Sequence, residues 1–240
     1  MKIRFDCHTH TIASGHAYST LEENIKAAGT AGLNGLAVTD HGPAMPGGPH
    51  DIYFMNLRSL PTEHLGVKLL RGIEANIIDY EGQLDLPEYP LKNLDFCIAS
   101  FHEICIAPIN EQTHTQGWLN VIKNKYVDLL GHPGRGRFPF DIRTVVQACG
   151  QYNKAIEINN HTLNRENDRE ICREIAIVCK ELQVPVMVNS DAHFTHSVGE
   201  FSRSVNLLEE IDFPEELIAN RSLESMREFL IKRGKRCRWE

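Results

Sequence analysis

Histidine and carboxylate recur in this chain at short spacings that suit metal chemistry. His8-x-His10 and Asp191-x-His193 each put two side chains on one side of an extended segment. His41, Glu74, His102 and His132 stand singly, each at or just after the end of a short apolar run. Neutral imidazole and carboxylate are the usual protein ligands of zinc, and also of iron and manganese. Seven of the twelve histidines belong to this set: His8, His10, His16, His41, His102, His132 and His193. Glu74 and Asp191 bring the candidate ligands to nine, too many for one catalytic ion, which takes about three protein ligands and keeps one position open. The set therefore points to three ions, or to two with some residues further out, and a carboxylate such as Glu74 can bridge neighbours. Without metal, so many imidazoles in one pocket would leave polar groups unsatisfied. Asp40, next to His41, points to the opposite side of an extended strand and is expected to hydrogen-bond behind the ligands or to cap a helix.

Residues so far apart in sequence need a scaffold that brings them together. Seven strand-length apolar runs recur: Ile3–Phe5, Gly35–Val38, Val67–Ile73, Phe96–Ala99, Val127–Leu130, Ala155–Ile158 and Val184–Val188. They are apolar on both faces, as buried parallel strands are. Helical stretches fit between them. Ser19-x-x-Glu22 reads as a capping box opening Leu21–Ala31, with Gly32 as its stop. Asp141 caps Ile142–Cys149, Asn167-x-x-Glu170 opens Ile171–Leu182, Asp212-Phe-Pro214 starts a short helix, and Ser222 starts another to about Ile231. His64 and His114 read as solvated helical positions, while His50, His161 and His196 fall in loops near the candidate site.

Alternation of this kind argues for a parallel α/β protein, and seven strands in so short a chain favour a closed barrel. In a barrel all strand C-termini meet on one face. Six of the seven runs end in His, Glu or Asp, and the sixth is followed by Asn159-Asn160. No Gly-, Ser- or Pro-rich linker divides the chain, so one domain over residues 1–240 is expected.

Length, composition and charge bound the alternatives. The 240 residues are 42% hydrophobic and 24% charged, ordinary for a globular chain. A net charge of −7 fits poorly with grip on a long nucleic acid. No apolar run is long enough for a membrane span, and the N-terminus lacks a signal-peptide pattern. Seven cysteines, an odd number with no Cys-x-x-Cys, read as reduced buried thiols of a cytoplasmic protein.

The motifs Asp6-Cys-His-Thr-His10, Thr39-Asp-His-Gly42, Gly72-Ile-Glu-Ala-Asn76, Gly131-His-Pro-Gly134 and Ser190-Asp-Ala-His193 resemble the PHP (polymerase and histidinol phosphatase) superfamily, most closely its YcdX-like branch of stand-alone probable phosphatases. The resemblance runs over nearly the whole chain. It implies a distorted seven-stranded βα (TIM-like) barrel with a trinuclear metal centre; the ligand types suit zinc first, with manganese or iron as alternatives. It also implies a grouping: His8, His10, Glu74 and Asp191 on one ion; Glu74, His102 and His132 on a second, with Glu74 bridging; His16, His41 and His193 on the third. The loop Arg135-Gly-Arg137 departs from the pattern.

The chemistry expected is hydrolysis of a small phosphomonoester. Clustered cations clamp the oxygens of an in-line displacement, and a water whose pKa they lower attacks phosphorus. The ions would supply the positive potential that an acidic chain lacks, and Arg135 is a candidate phosphate contact. Three other readings compete. An amidohydrolase-like enzyme would share the barrel and the His-x-His, but those with two metals commonly bridge them with a modified lysine where this chain has His102. A 3′–5′ exonuclease-type phosphodiesterase would want a basic surface interleaved with aromatics. A metal-binding module without turnover would keep the ligands alone. The basic stretch Lys232-Arg-Gly-Lys-Arg-Cys-Arg238 reads as solvated, with an acidic partner as the alternative. The oligomeric state is not encoded in any motif.

Overall fold

The computed structural model describes residues 1–239. In chain order its strands and helices are β1 (Phe5–Thr9), α1 (Leu21–Thr30), β2 (Gly35–Val38), α2 (Asp51–Asn56), β3 (Glu63–His64), β4 (Val67–Asn76), α3 (Glu88–Leu91), β5 (Phe96–Ser100), α4 (Glu111–Ile122), β6 (Leu129–Leu130), α5 (Ile142–Gln151), β7 (Ala155–Asn159), α6 (Glu166–Leu182), β8 (Val186–Asn189), α7 (Ser202–Glu210) and α8 (Leu223–Lys232). Seven strands run parallel in the order β1-β2-β4-β5-β6-β7-β8, and β3 adds a short antiparallel pair to β4. All seven apolar runs of the sequence contribute strands. The first strand lies further along than its run, so His8 is inside it, and the fifth run pairs only at Leu129–Leu130.

The sheet closes on itself through side chains more than through a ladder. At the top of the seam Thr9 bridges Ala192, and His10 N donates to Ala192 O at 2.9 Å. In the middle Cys7 N donates to the Asn189 side chain at 2.9 Å. At the bottom Asn220 serves both edges. Its carbonyl accepts from Phe5 N, its side-chain amide donates to Phe5 O and Val188 O, and its Oδ1 accepts from Val188 N. One asparagine thus satisfies buried backbone groups that two unpaired edges would otherwise leave open.

Alternation inside the barrel stacks layers. Phe5, Leu70, Phe96, Leu129, Ala155 and Met187 form an apolar floor with Met226, Phe229 and Leu230 of α8. Two and four residues further along β4, β7 and β8 the same face carries Glu74, Glu157, Asn159 and Asn189, and Asp191 follows just beyond β8. In β1 the pairing with β2 slips between Asp6 and Thr9. Cys7 shares the face of Phe5 and lies on the floor, its Sγ 3.8 Å from Met226, and the slip lets His8 and His10, of opposite parity, reach the layers above.

Several local expectations are corrected. Thr20, not Ser19, caps α1, in a reciprocal box with Glu23. The helix read from Ile171 begins at Glu166, with no side-chain cap from Asn167. Asp212-Phe-Pro214 leads into a single 3-10 turn, Glu215–Leu217. His64 lies in β3, not in a helix. His114 is in α4 but buried: its Nδ1 reaches Pro139 O at 2.8 Å and its Nε2 accepts from Ile109 N at 2.8 Å. The caps Asp141 and Ser222 act as expected. All seven cysteines are free thiols, buried except for the half-buried Cys105. No helix among the described residues is long and apolar enough to cross a membrane.

Candidate metal centre

The C-terminal ends of the strands converge on a cluster of imidazoles and carboxylates. His8 Nε2 lies 3.3 Å from Glu74 Oε2 and 3.5 Å from Asp191 Oδ1. His10 Nε2 lies 3.4 Å and 3.3 Å from the same two oxygens. A tetrahedral ion with bonds of ~2.0–2.1 Å requires ligand atoms about 3.3 Å apart, so the four atoms suit one ion. Glu74 faces two ways. Its Oε2 is also 2.7 Å from His41 Nδ1, and its Oε1 is 2.7 Å from His132 Nε2 and 3.3 Å from His102 Nε2. Ligand atoms of His10, His41 and His193 form a further close group. His16 stands exposed beside it, its ring 4.9 Å from His41 and 5.0 Å from His193. All nine sequence candidates therefore lie close together, with His10 and His16 both beside His41 and His193.

The fit to metal can be tested on the chain itself. His8 Nε2, His10 Nε2 and His102 Nε2 are buried without a hydrogen-bond partner, and His41 Nδ1 and Glu74 Oε2, though 2.7 Å apart, are not aligned for a hydrogen bond. Buried polar atoms left without a hydrogen bond cost free energy, and five of them aimed at one small volume mark places where cations would satisfy them. The groups behind the cluster fix which ring nitrogen is free. Glu157 Oε1 is 2.7 Å from His8 Nδ1, and Asn76 Oδ1 is 2.7 Å from His102 Nδ1. Asp191 O is 3.0 Å from His193 Nδ1. Each is an acceptor, so each Nδ1 carries the proton and the Nε2 lone pair is left for a cation.

Two further positioning groups extend this layer. Asp40 accepts from Thr11 N and Oγ1, from Ser14 Oγ at 2.7 Å and from Tyr53 OH. Ser14 Oγ in turn lies 3.1 Å from His10 Nδ1. Asp40 thus does hydrogen-bond behind the ligands. Glu157 stands in the Glu157-Ile-Asn-Asn160 motif at the end of the sixth run but is not among the nine ligand candidates. It is fully buried, and besides His8 it accepts from Asn189 Nδ2 and from His132 N at 2.6 Å. Its signal was its place, an acidic residue on the inward face of the sixth run.

Backbone and charge complete the site. His132 (φ 29°) and Asp191 (φ 57°) adopt positive φ, uncommon for side-chain-bearing residues, and both turn back into the cluster. Gly131 makes room for this turn: a Cβ there would lie 2.1 Å from Ser100 Oγ. Burial opposes charge on Glu74, yet the His8, His41 and His102 imidazoles hold its carboxyl well below the usual range. Burial, then Arg135, pushes His132 down to about 4. Arg135 Nη2 donates to Asp191 Oδ2 at 2.7 Å, so it braces the outer oxygen of Asp191, the inner one facing His8 and His10. Its side chain is 33% exposed and lines a cavity of about 1200 Å³ above the cluster. His161, Arg137 and Arg165 line the same cavity; His50 and His196 do not.

Comparison with known proteins agrees with this architecture. The PHP domain family matches residues 6–161. A protein of Acetivibrio thermocellus named "Probable phosphatase" is 49% identical over 239 residues, covering 99% of each chain. A protein of Caldanaerobacter subterraneus subsp. tengcongensis, also named a probable phosphatase, is 48% identical over 98% of this chain and 95% of its own. Among solved structures, histidinol phosphate phosphatase from Lactococcus lactis, crystallised with zinc, L-histidinol and phosphate, superposes with a TM-score of 0.62 at 17% identity, covering 88% of this chain and 94% of that one. With a family match over more than half of its length and relatives close to half identical from end to end, the chain belongs to the PHP domain family.

Proposed function

We propose that this chain is a metal-dependent phosphatase that hydrolyses a small phosphomonoester at the C-terminal face of its barrel. The observation that carries the reading is the buried four-atom group of His8, His10, Glu74 and Asp191, spaced for one ion below an arginine-lined cavity. The names of full-length relatives support it. His8, His10, Glu74 and Asp191 would hold one ion and Glu74, His102 and His132 a second. His41 and His193 would hold a third, with His16 or His10 completing it. Zinc suits the imidazole-rich set, and manganese or iron can take its place. Bound divalent ions would supply positive charge for the phosphoryl oxygens and lower the pKa of a water.

The chain's own side chains set the conditions for that chemistry. Glu157, Asn76 and Ser14 fix the imidazoles that would bind. Arg135 steadies Asp191 and has further N–H groups for a phosphate oxygen. Glu74 would take the bridging position, and no lysine lines the cavity among the described residues, which favours phosphate over amide chemistry.

The test is metal content of freshly purified protein together with hydrolysis of p-nitrophenyl phosphate, with and without a chelator. About three ions per chain and chelator-sensitive turnover are expected. Metal without phosphomonoester cleavage would overturn the reading, and preferential cleavage of bis-p-nitrophenyl phosphate would move it to a phosphodiesterase.

A further inference from the structure

A second cavity, of about 570 Å³, lies at the opposite end of the barrel and is lined by Asp95, the residue that leads into β5. The segment after α8 builds one wall of it. That segment is docked rather than solvated. Arg233 Nε donates to Asp128 Oδ1 at 3.2 Å, Lys235 pairs with Asp128 Oδ2, and Arg238 Nη2 donates to Leu60 O. Trp239 packs 5.7 Å from Phe5. On the facing wall Arg71 makes a two-pronged pair with Asp95. These bonds fix the shape of the groove and consume the cations that form its floor.

Arg58, Lys92, Lys125 and Arg236 remain at the rim, all exposed. Lys125 has a 3.5 Å contact with Glu88, whereas Arg58 and Arg236 have no carboxylate partner among the described residues. On a chain of net charge −7, this is a local surplus of positive charge held on a rigid base. The surface between the cations is organic. Tyr89 is 58% exposed and Met55 39% exposed; Lys92 lies over the Tyr89 ring and Lys125 over the Tyr126 ring, each 4.8 Å from the centroid. The volume falls within the range of small-molecule sites. Free guanidinium groups beside exposed aromatic and apolar surface match a ligand with phosphate at one end and a flat ring at the other.

We propose that this groove binds a nucleoside phosphate, at a site separate from the metal centre. The experiment is calorimetric titration of the metal-loaded full chain with adenosine 5′-(β,γ-imido)triphosphate at physiological salt, repeated with Arg58→Glu/Arg236→Glu and with His132→Ala. Saturable binding is expected, weakened at least tenfold by the charge-reversal pair and kept in His132→Ala. The pair should hydrolyse p-nitrophenyl phosphate as the parent does, because neither arginine approaches the metal centre. Four results would overturn the proposal. One is no binding. A second is binding lost in His132→Ala and kept in the charge-reversal pair, which places it at the metal centre. A third is inorganic phosphate binding as tightly as the analogue, which makes the groove a bare anion site. The last is a single-stranded oligonucleotide binding at least tenfold more tightly, which makes the face a nucleic-acid surface.

Discussion

At the C-terminal ends of the strands, His8, His10, His41, Glu74 and His102 are buried with an atom each left without a hydrogen bond. At the N-terminal ends, Asp95, Asp128 and Lys154 are just as buried, and each is paired. Asp95 holds Arg71, Asp128 holds Arg233 and Lys235, and Lys154 donates to the carbonyls of Asn124 and Val127. Burying charge costs free energy at both ends. At one end the protein satisfies that cost with its own groups, and there the charge secures structure. At the other, on the proposed reading, a cation would satisfy it, and there the charge would serve chemistry. The difference teaches that burial alone does not identify a site; burial without a partner does.

The largest effects should come from the unpaired end. Chelation, or His8→Ala or Asp191→Ala, should reduce p-nitrophenyl phosphate turnover on the order of 10³-fold or more, because transition-state stabilisation worth several kcal/mol goes with the ions. Metal content measured on the same samples should fall with the activity. Activity that survives in both variants would remove the contrast between the two ends.

The paired end should respond in stability and not in metal. Asp128→Ala leaves Arg233 and Lys235 without their carboxylate and Cys97 N without its acceptor. Breaking a buried ion pair from one side costs about 3–5 kcal/mol. A large drop in denaturation midpoint with unchanged metal stoichiometry is the expected result. Loss of metal in this variant would show the two ends to be coupled.

Glu157 sharpens the comparison, since it is a paired charge at the unpaired end. Glu157→Gln keeps an oxygen for one neighbour but removes the carboxylate from His8 Nδ1. Losing such a partner typically costs ~10–100-fold in metal affinity. Competition with a graded series of chelators should find the ions held that much more weakly, with melting of the metal-free protein far less affected than by Asp128→Ala.

The same contrast explains what could be read in the sequence. Eight of the nine clustered residues were legible because each sits at or just beyond an apolar run, His16 being the exception, and a barrel brings strand ends together whatever their separation in the chain. His8 and His10 were placed correctly even though β1 begins later than its run, since a spacing of two survives a shift along the strand. The paired end was not legible. Asn220 closes the barrel through Phe5 and Val188, which no local pattern connects to it. Residues 233–238 look like a solvated basic stretch until Asp95 and Asp128 are placed beside them. His114 looked solvated because its partner, Pro139 O, is 25 residues away. Patterns of residue type show what a chain exposes or leaves open, whereas pairings made at a distance appear only in the fold.

Lys154 offers the smallest and most selective test. It is 1% exposed, and burial, helped by Arg233, lowers its pKa from 10.5 to about 8. Between those values the unfolded chain binds a proton that the folded chain has released. The folded state is therefore favoured increasingly as pH rises from about 8 towards 10.5, and below about 8 the full cost of the buried charge is present. Lys154→Met removes this dependence while keeping the apolar stem. Buried thiols such as Cys97, pushed up to about 12, act in the opposite sense over an overlapping range, so the informative quantity is the difference between the two proteins. Across that window the parent should gain ~1–3 kcal/mol relative to Lys154→Met in urea unfolding. A constant difference would mean that the two carbonyls bonded to Lys154 fully offset its burial, and the N-terminal end would then be satisfied without residual cost.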